Sequence, residues 1–239
     1  MKALILNSGL GKRMGSLTQH HPKCMTEIDE GETILSRQLK SLLSCGIDEV
    51  IITTGYYDEV LKDYVDSLKL PLKLRYVLSD KYATTNYIYS IYRAREYLHD
   101  DIVLMHGDLV YEFEILKEML SSSKSLMTIS STLPLPEKDF KAVIEDHKII
   151  KVGIDCFENA LAAQPLYKLN QKDWEIWLKE IIVFCENEKT SVYAENALNE
   201  VSRLMDLEGI DVLDRLCGEI DNPIDLDIIS KRVKEEHHD

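Results

Sequence analysis

The stretch LILNSGLGKRMG, residues 4–15, decides which kind of fold the rest of the chain is expected to form. Its apolar start predicts a short buried strand, which Gly9 and Gly11 then end. Two cations, Lys12 and Arg13, follow at a point where a helix can begin. Backbone amides of a glycine-rich turn and nearby cations are groups that bind phosphate. The stretch therefore predicts a strand, a phosphate-binding turn and the start of a helix.

The turn does not fit the sequence patterns of two common nucleotide-binding loops. A nicotinamide-dependent oxidoreductase needs the loop GxGxxG, but the third glycine is displaced to Gly15, and the Walker pattern GxxxxGK[ST] is absent. A glycine pair alone is also typical of a plain tight turn with solvated cations. The dipeptide Pro22-Lys23 favours phosphate binding, because the proline stiffens the backbone that carries a further cation.

The first half of the chain alternates between strand and helix patterns. Apolar residues at helical spacing over 34–43 precede a strand over 50–53, and this unit is typical of a parallel sheet. Ligands of such sheets bind beyond the carboxyl ends of the strands, where the glycine turn lies. The remaining predicted elements are an amphipathic stretch over 58–68, strands over 72–78, 101–108 and 125–132, helices over 87–98 and 113–123, a hairpin over 141–154, helices within 171–204, an extended segment near Cys217 and a closing helix.

Composition limits the possible partners. The chain has 239 residues, 45% of them hydrophobic, which is enough for a sizeable core. Its formal net charge of -14 argues against nucleic acid or an anionic membrane surface as a partner, because both would repel it. No apolar run reaches the roughly 20 residues of a membrane span and no signal segment is evident, so we expect a cytoplasmic protein. Its five scattered cysteines are expected to be reduced. The oligomeric state, a homo-oligomer included, stays open.

The glycine loop and the proline-lysine pair together resemble the signature of the pyrophosphorylase-like nucleotidyltransferases, which activate sugar phosphates and phospho-alcohols. In that family a strand leads into a GxGxR loop and then a PK dipeptide, matched here by LNSGLGKRM (6–14) and HPK (21–23). The resemblance implies an α/β fold, a Rossmann-like three-layer sandwich with a mostly parallel mixed central sheet, in a single domain over 1–239. Its expected parts are a nucleotide-binding core over about 1–133, an acceptor-side β-hairpin flap with helices over about 134–210, and a C-terminal metal-ligand segment with a helix over about 211–239.

The same resemblance implies a nucleoside triphosphate in the loop. Arg13 and Lys23 would contact its phosphates as the catalytic cations. The segment KYATTNYIYSIY (81–92) is similar to the phosphocholine cytidylyltransferase branch, which implies CTP as the donor, although residue chemistry alone leaves UTP open. The loop departs from the family in having NSG where many members have two alanines before the glycine. The nucleotide-binding residues expected on these grounds are Asn7, Ser8, Gly9, Leu10, Gly11, Lys12, Asn86 and Ser90.

Two carboxylates are candidate ligands of Mg²⁺, which prefers carboxylate and phosphate oxygens. Asp108 in VLMHGDLVY occupies the position of the family's magnesium-binding aspartate, although it could instead cap the following helix. Asp221 in GEIDNPIDL resembles the second ligand, although it could merely begin a turn. Glu219 is a nearby alternative. The adjacent His237 and His238 do not share a helix face and are assigned no metal.

The acceptor is expected to be a small phosphonate or phospho-amino-alcohol. The segment 133–154 is similar to cytidylyltransferases that activate phosphonates such as 2-aminoethylphosphonate, and its Lys138 and Lys141 would bind the acceptor, although lysines of a hairpin are commonly just solvated. Phosphocholine ranks second: its quaternary ammonium calls for an aromatic or acidic cage, and no sequence pattern indicates that the available aromatic residues converge. An inactive nucleotide-binding regulatory protein is the lower alternative. The aromatic residues available for a cage are Tyr87, Tyr167, Trp174 and Tyr193.

Overall fold

The computed structural model describes residues 1–236, so His237 and His238 lie outside the described residues. Its strands in that range are β1 (Lys2–Leu6), β2 (Glu27–Asp29), β3 (Glu32–Thr33), β4 (Glu49–Thr54), β5 (Lys73–Leu78), β6 (Ile102–His106), β7 (Leu109–Tyr111), β8 (Ser125–Ser130), β9 (Lys141–Glu145), β10 (Lys148–Gly153), β11 (Ala160–Leu169), β12 (Leu207–Asp211) and β13 (Cys217–Glu219). Its α-helices are α1 (Ile34–Ser44), α2 (Asp58–Ser67), α3 (Tyr87–Ala94), α4 (Phe113–Ser121), α5 (Gln171–Glu186), α6 (Ala194–Val201) and α7 (Pro223–Glu236). None of the helices in this range combines the length and the apolar character needed to cross a bilayer.

Within residues 1–236, nine strands form one mixed sheet, in the spatial order β5-β4-β1-β6-β11-β8-β12-β10-β9. The first four are parallel, and β11 then runs antiparallel to both β6 and β8. The register places Leu6 between Thr53 and His106. The residues that directly follow β1 and β6 therefore meet at one edge of the sheet, where the glycine loop and Asp108 were expected to lie.

Apolar side chains on both faces of the sheet explain why the helices cover it. Along β1, Leu4 belongs to a buried cluster with α3, α5 and α6, whereas Ile5 belongs to a second cluster with α1, α2 and α4. This alternation is that of a strand buried on both sides. The mixed central sheet and the predicted helices around it are confirmed. Counted by strand pairings, the sheet is not mostly parallel as predicted, because β11 and β10 each pair antiparallel with their neighbours and these pairings outnumber the parallel ones.

The predicted hairpin over 141–154 is present, but it is not a separate flap. Asp146 and His147 have φ values of 48° and 68°, the left-handed pair that a two-residue hairpin turn requires. The two strands of the hairpin, β9 and β10, pair with β11 and β12 respectively, so they form the edge of the main sheet. β11 was not predicted, and its pairing with β8 shifts register between Gln164 and Tyr167.

Candidate active site

A cleft of about 450 Å³ opens at the carboxyl edge of the parallel strands. It lies where the turn after β1, the Lys23 segment, the start of α3 and the end of β6 come together. Most of the predicted nucleotide-binding residues line it, and Tyr82 and Thr85, which the sequence analysis did not single out, join them. Its lining residues are Asn7, Gly9, Leu10, Gly11, Lys12, Arg13, Pro22, Lys23, Cys24, Tyr82, Thr85, Asn86, Gly107 and Asp108.

Close backbone approaches fix the shape of the glycine loop. Gly11 has a φ of 59°, and its carbonyl accepts a hydrogen bond from the Thr18 hydroxyl at 3.0 Å. A Cβ atom on Gly107 would lie 1.6 Å from the Asn7 Oδ1 atom, so a side chain there would displace Asn7. Only glycine lets the end of β6 pack this closely on the loop.

Ser8 and Ser90 lie beneath the cleft. Both are buried, and their hydroxyl oxygens are 2.6 Å apart, while the Ser90 hydroxyl also donates to Ser79 at 3.1 Å. These bonds join the loop to α3 and occupy the hydroxyl that was expected to contact the nucleotide. The prediction of a direct Ser90 contact is therefore not supported by the structure, and Ser90 instead supports the loop from below.

A charge cluster occupies the floor of the cleft. The Lys23 Nζ atom lies 2.5 Å from Asp108 Oδ2 and 2.7 Å from Asp221 Oδ1. Arg13 reaches the same Asp221 oxygen at 2.8 Å, with 65% of its side chain exposed. The two predicted cations and the two predicted metal ligands thus meet at one place, although 198 positions separate Lys23 from Asp221.

Strand pairing explains how the distant carboxylates reach Asp108. β13 pairs with β7 so that Glu219 lies opposite Leu109, and the Ile220 amide donates to the Asp108 carbonyl at 3.0 Å. The helix-capping alternative for Asp108 is not realised, because α4 begins only at Phe113. The turn before α7 is held by Asp225, which accepts from the Asp221 amide at 2.9 Å, so the Asp221 side chain is free to face the cations.

Burial and mutual attraction set the protonation states of the cluster. Burial disfavours the ammonium of Lys23, but Asp108 and Asp221 outweigh that effect and raise the pKa of Lys23 above its usual value. Burial also disfavours the charged form of Asp108, yet Lys23 and His106 hold the pKa of this carboxyl below its usual range. Lys23 and Asp108 are therefore both ionised at neutral pH.

A second ion pair lies beside the first. His106 Nδ1 is 2.8 Å from Glu219 Oε1. Burial opposes the imidazolium, but Glu219 raises the pKa of His106 to about 9. Burial, with the charge of Asp108 next, raises the pKa of Glu219 to about 7. His106 is therefore charged at neutral pH, whereas the pKa of Glu219 lies close to neutral pH.

The carboxylates fit a divalent cation. Carboxylate oxygens of Asp108 and Glu219 and a ring nitrogen of His106 all lie within 4.8 Å of one another, and Lys23 links Asp221 to the same group. Asp108, Glu219 and Asp221 thus bring carboxylate oxygens together, and these are the donors that a hard divalent cation binds. In the structure, Lys23, Arg13 and His106 balance their charge.

A second cleft, of about 250 Å³, adjoins the first and shares Arg13, Asn86 and Asp108 with it. Four aromatic side chains in its wall form a closed ring of neighbours. Their ring centroids are 4.5 Å apart for Tyr87 and His106, 6.4 Å for His106 and Phe140, 5.4 Å for Phe140 and Tyr193, and 5.8 Å for Tyr193 and Tyr87. Asp139, Glu219 and Asp221 add carboxylates to the same cleft.

Of the four aromatic residues considered for a cage, two line this cleft and two do not. Tyr87 and Tyr193 are in its wall, whereas Tyr167 and Trp174 are fully buried in the core. Phe140 was not predicted, and its only signal in the sequence is its position close to Lys138. The aromatic residues of this wall come from segments that are far apart in the chain.

The two predicted acceptor lysines have different positions. Lys138 lines the second cleft. Lys141 is fully buried, and its ammonium donates to the carbonyls of Pro136 and Asp139 and lies 4.2 Å from the centre of the Phe157 ring. An acceptor contact by Lys141 is therefore wrong as a prediction, because its charge is already used to hold the loop that carries Lys138.

A parallel α/β edge with a glycine loop, lysine and arginine side chains and converging carboxylates is typical of proteins that bind a nucleotide through its phosphates. Residues 3–131 match the sequence model of the MobA-like NTP transferase domain, and the chain belongs to this family.

Similar proteins of this kind include cytidylyltransferases. A CTP:phosphoglutamine cytidylyltransferase of Campylobacter jejuni is 27% identical over 64% of this chain and 62% of its own length. A CMP-5'-(3-aminopropyl)phosphonate synthase of Streptomyces rubellomurinus is 31% identical over 56% of this chain and 21% of its own. A choline-phosphate cytidylyltransferase of Streptococcus pneumoniae is 36% identical over 44% and 43%. The chain thus matches less than two thirds of the length of each of these relatives.

Solved structures share the fold over nearly the whole chain. A CTP:phosphocholine cytidylyltransferase from Streptococcus pneumoniae superposes with a TM-score of 0.75 at 22% identity, covering 97% of this chain and 98% of that one. An inositol-1-phosphate CTP transferase from T. maritima gives 0.77 at 21%, covering 98% and 96%. At these identities the likeness establishes the architecture.

Proposed function

We propose that this chain is a cytidylyltransferase that uses CTP. An ionised phosphate or phosphonate oxygen of a small acceptor attacks the α-phosphorus of CTP. The bond from that phosphorus to the bridging oxygen breaks, pyrophosphate leaves, and the acceptor carries CMP. The observation that supports this best is the meeting of two clefts at Asp108 and Arg13, with the Lys23 ammonium at the junction.

The residues of the junction supply alignment and charge neutralisation. The larger cleft takes the nucleotide, with the amides of the glycine loop and the cations Lys12, Arg13 and Lys23 around its phosphates. Because the attacking oxygen is already ionised, no protein group must remove a proton. Asp108 and Asp221, with Glu219 beside them, would hold Mg²⁺, which when bound neutralises phosphate charge.

We propose a small aminophosphonate, of the 2-aminoethylphosphonate type, as the first acceptor. Lys138 and Arg13 line the smaller cleft and provide cations for the phosphonate oxygens. Asp139 and Glu219 line the same cleft and provide carboxylates for an amino group. The aminopropylphosphonate synthase among the relatives supports an aminophosphonate as one candidate.

Phosphocholine is the second candidate, and a specific observation favours it. Tyr87, Phe140 and Tyr193 offer aromatic faces to one cleft, and such faces attract a quaternary ammonium. His106, which is positively charged at neutral pH, does not add to this attraction. The loss of Lys141 from the acceptor contacts removes part of the case for a phosphonate. Both candidates have an anionic head and a cationic tail.

The test is pyrophosphate release from CTP and Mg²⁺ with a panel of acceptors. The panel is 2-aminoethylphosphonate, 2-hydroxyethylphosphonate, phosphocholine, phosphoethanolamine and glucose 1-phosphate, with UTP as the donor control. We expect activity with an acceptor that carries a cationic tail, and its loss in Asp108→Asn. Turnover of glucose 1-phosphate alone would contradict the acceptor proposal. Binding of CTP without any turnover would favour the regulatory protein instead.

A further inference from the structure

We infer that Glu195 is a positioning residue for the acceptor: it fixes the ring of Tyr87 in the wall of the smaller cleft. The inference rests on the proposed function, because it takes that cleft as the acceptor site. Glu195 itself does not line either cleft. It acts through Tyr87, which lines the smaller cleft but not the larger one.

The Glu195 carboxylate is buried between two phenols. It lies in the first turn of α6 and is only 2% exposed. One of its oxygens accepts a hydrogen bond from the Tyr167 hydroxyl at 2.8 Å, and the other accepts one from the Tyr87 hydroxyl. Burial, together with the charge of Glu195, raises the pKa of both phenols well above the usual value. Both tyrosines therefore remain protonated donors.

These bonds determine which part of Tyr87 the acceptor meets. Its hydroxyl points to Glu195, so the ring is left to contact His106 at 4.5 Å and Tyr193 at 5.8 Å between centroids. The backbone of Tyr87 is also fixed, because its amide donates to the Asn86 side chain at 2.7 Å. A ring held at both ends presents a fixed aromatic surface, which lowers the entropic cost of ordering the wall around an acceptor.

Tyr167 provides a matched control within the same network. It donates the same kind of bond to the same carboxylate, but it is fully buried on β11, with its ring centroid 5.3 Å from that of Trp177. It lines neither cleft. Tyr167→Phe thus removes one hydrogen bond to Glu195 and leaves the aromatic rings of the acceptor cleft in place.

The experiment compares Tyr87→Phe, Glu195→Gln and Tyr167→Phe in the full chain. The readouts are KM for the acceptor, KM for CTP and the melting temperature. We expect Tyr87→Phe and Glu195→Gln to raise the acceptor KM by about fivefold or more, while KM for CTP stays the same. A fivefold change is part of the effect of losing one hydrogen bond to a charged group. Tyr167→Phe is expected to lower the melting temperature with neither KM changed.

Direct binding of the acceptor, measured by calorimetry, separates the possible failures. If the wild type binds an acceptor but Tyr87→Phe and Tyr167→Phe shift its affinity equally, the network is merely structural and the inference is overturned while the proposed function stands. If the wild type binds none of the panel, both the acceptor proposal and the inference are overturned. The inference would also be overturned if Tyr87→Phe raised KM for CTP as much as KM for the acceptor.

Discussion

Replacing Lys23 with methionine removes the ammonium that joins two carboxylates, while a flexible side chain of similar length keeps the packing. The Nζ atom lies 2.5 Å from Asp108 and 2.7 Å from Asp221, and only 13% of the lysine side chain is exposed. The variant therefore leaves partly buried Asp108 without its lysine partner, while Asp221 keeps only the exposed Arg13. Its effects on stability and on turnover are separable.

The structure allows both magnitudes to be worked out. Removing one partner of a buried ion pair costs about 3–5 kcal/mol of unfolding free energy. Asp108 and Asp221 keep 21% and 18% of their side chains exposed, so water can solvate them and the lower end, about 3 kcal/mol, applies. For a domain of this size that lowers the melting temperature by about 6–12 °C. Loss of a donor aimed at transition-state charge lowers turnover about 100- to 1,000-fold.

The assay is pyrophosphate release from CTP with the preferred acceptor, alongside thermal melting by circular dichroism. Lys73→Met is the matched control, because Lys73 also contacts two carboxylates, Asp48 at 3.0 Å and Glu49 at 3.7 Å, but at an exposed edge of the sheet. We expect the control to leave turnover unchanged. A folded Lys23→Met protein whose turnover lies within about tenfold of wild type would refute the assigned role.

Three further predictions test the metal ligands, the loop and the acceptor side. Asp108→Asn is expected to abolish magnesium-dependent pyrophosphate release, and an unchanged magnesium titration would exclude Asp108 as a ligand. Gly55→Ala should weaken CTP binding measured by calorimetry, because the new Cβ atom would lie 2.3 Å from the Ser8 carbonyl oxygen in the glycine loop. The control Gly218→Ala should leave CTP binding unchanged, because the nearest atom to its new Cβ would be 3.7 Å away. Lys141→Met should raise KM for the acceptor alone by loosening residues 133–140, and equal rises in both KM values would contradict this.

Local sequence was sufficient to predict the parts of the site that are formed by a few consecutive residues. The strand before Gly9 and the stiff support of Pro22 act over a few residues, so their patterns predicted the loop and its cations. Pro22 indeed has extended backbone directly before Lys23. The position of Asp108 after β6 followed from the same kind of pattern, because the end of a parallel strand is fixed by its own apolar run.

Side chains whose neighbours come from distant segments could not be assigned in this way. Local sequence does not distinguish an exposed lysine of a hairpin from a buried one. Lys141 is buried because its ammonium donates to the carbonyls of Pro136 and Asp139 and lies against the Phe157 ring. The hydroxyl of Ser90 likewise meets Ser8 across 82 positions. In both cases the sequence supplied the functional group, and its partner came from tertiary packing.

The sequence by itself therefore determined the family, the phosphate-binding loop and the residue types of the charge cluster, because these depend on periodicity and short motifs. Tertiary structure alone decided that β13 pairs with β7 and brings Glu219 and Asp221 to Asp108. It also decided which aromatic residues close the ring around the smaller cleft. Strand register and the packing of helices across the sheet fix these contacts, and both depend on interactions between segments far apart in the chain.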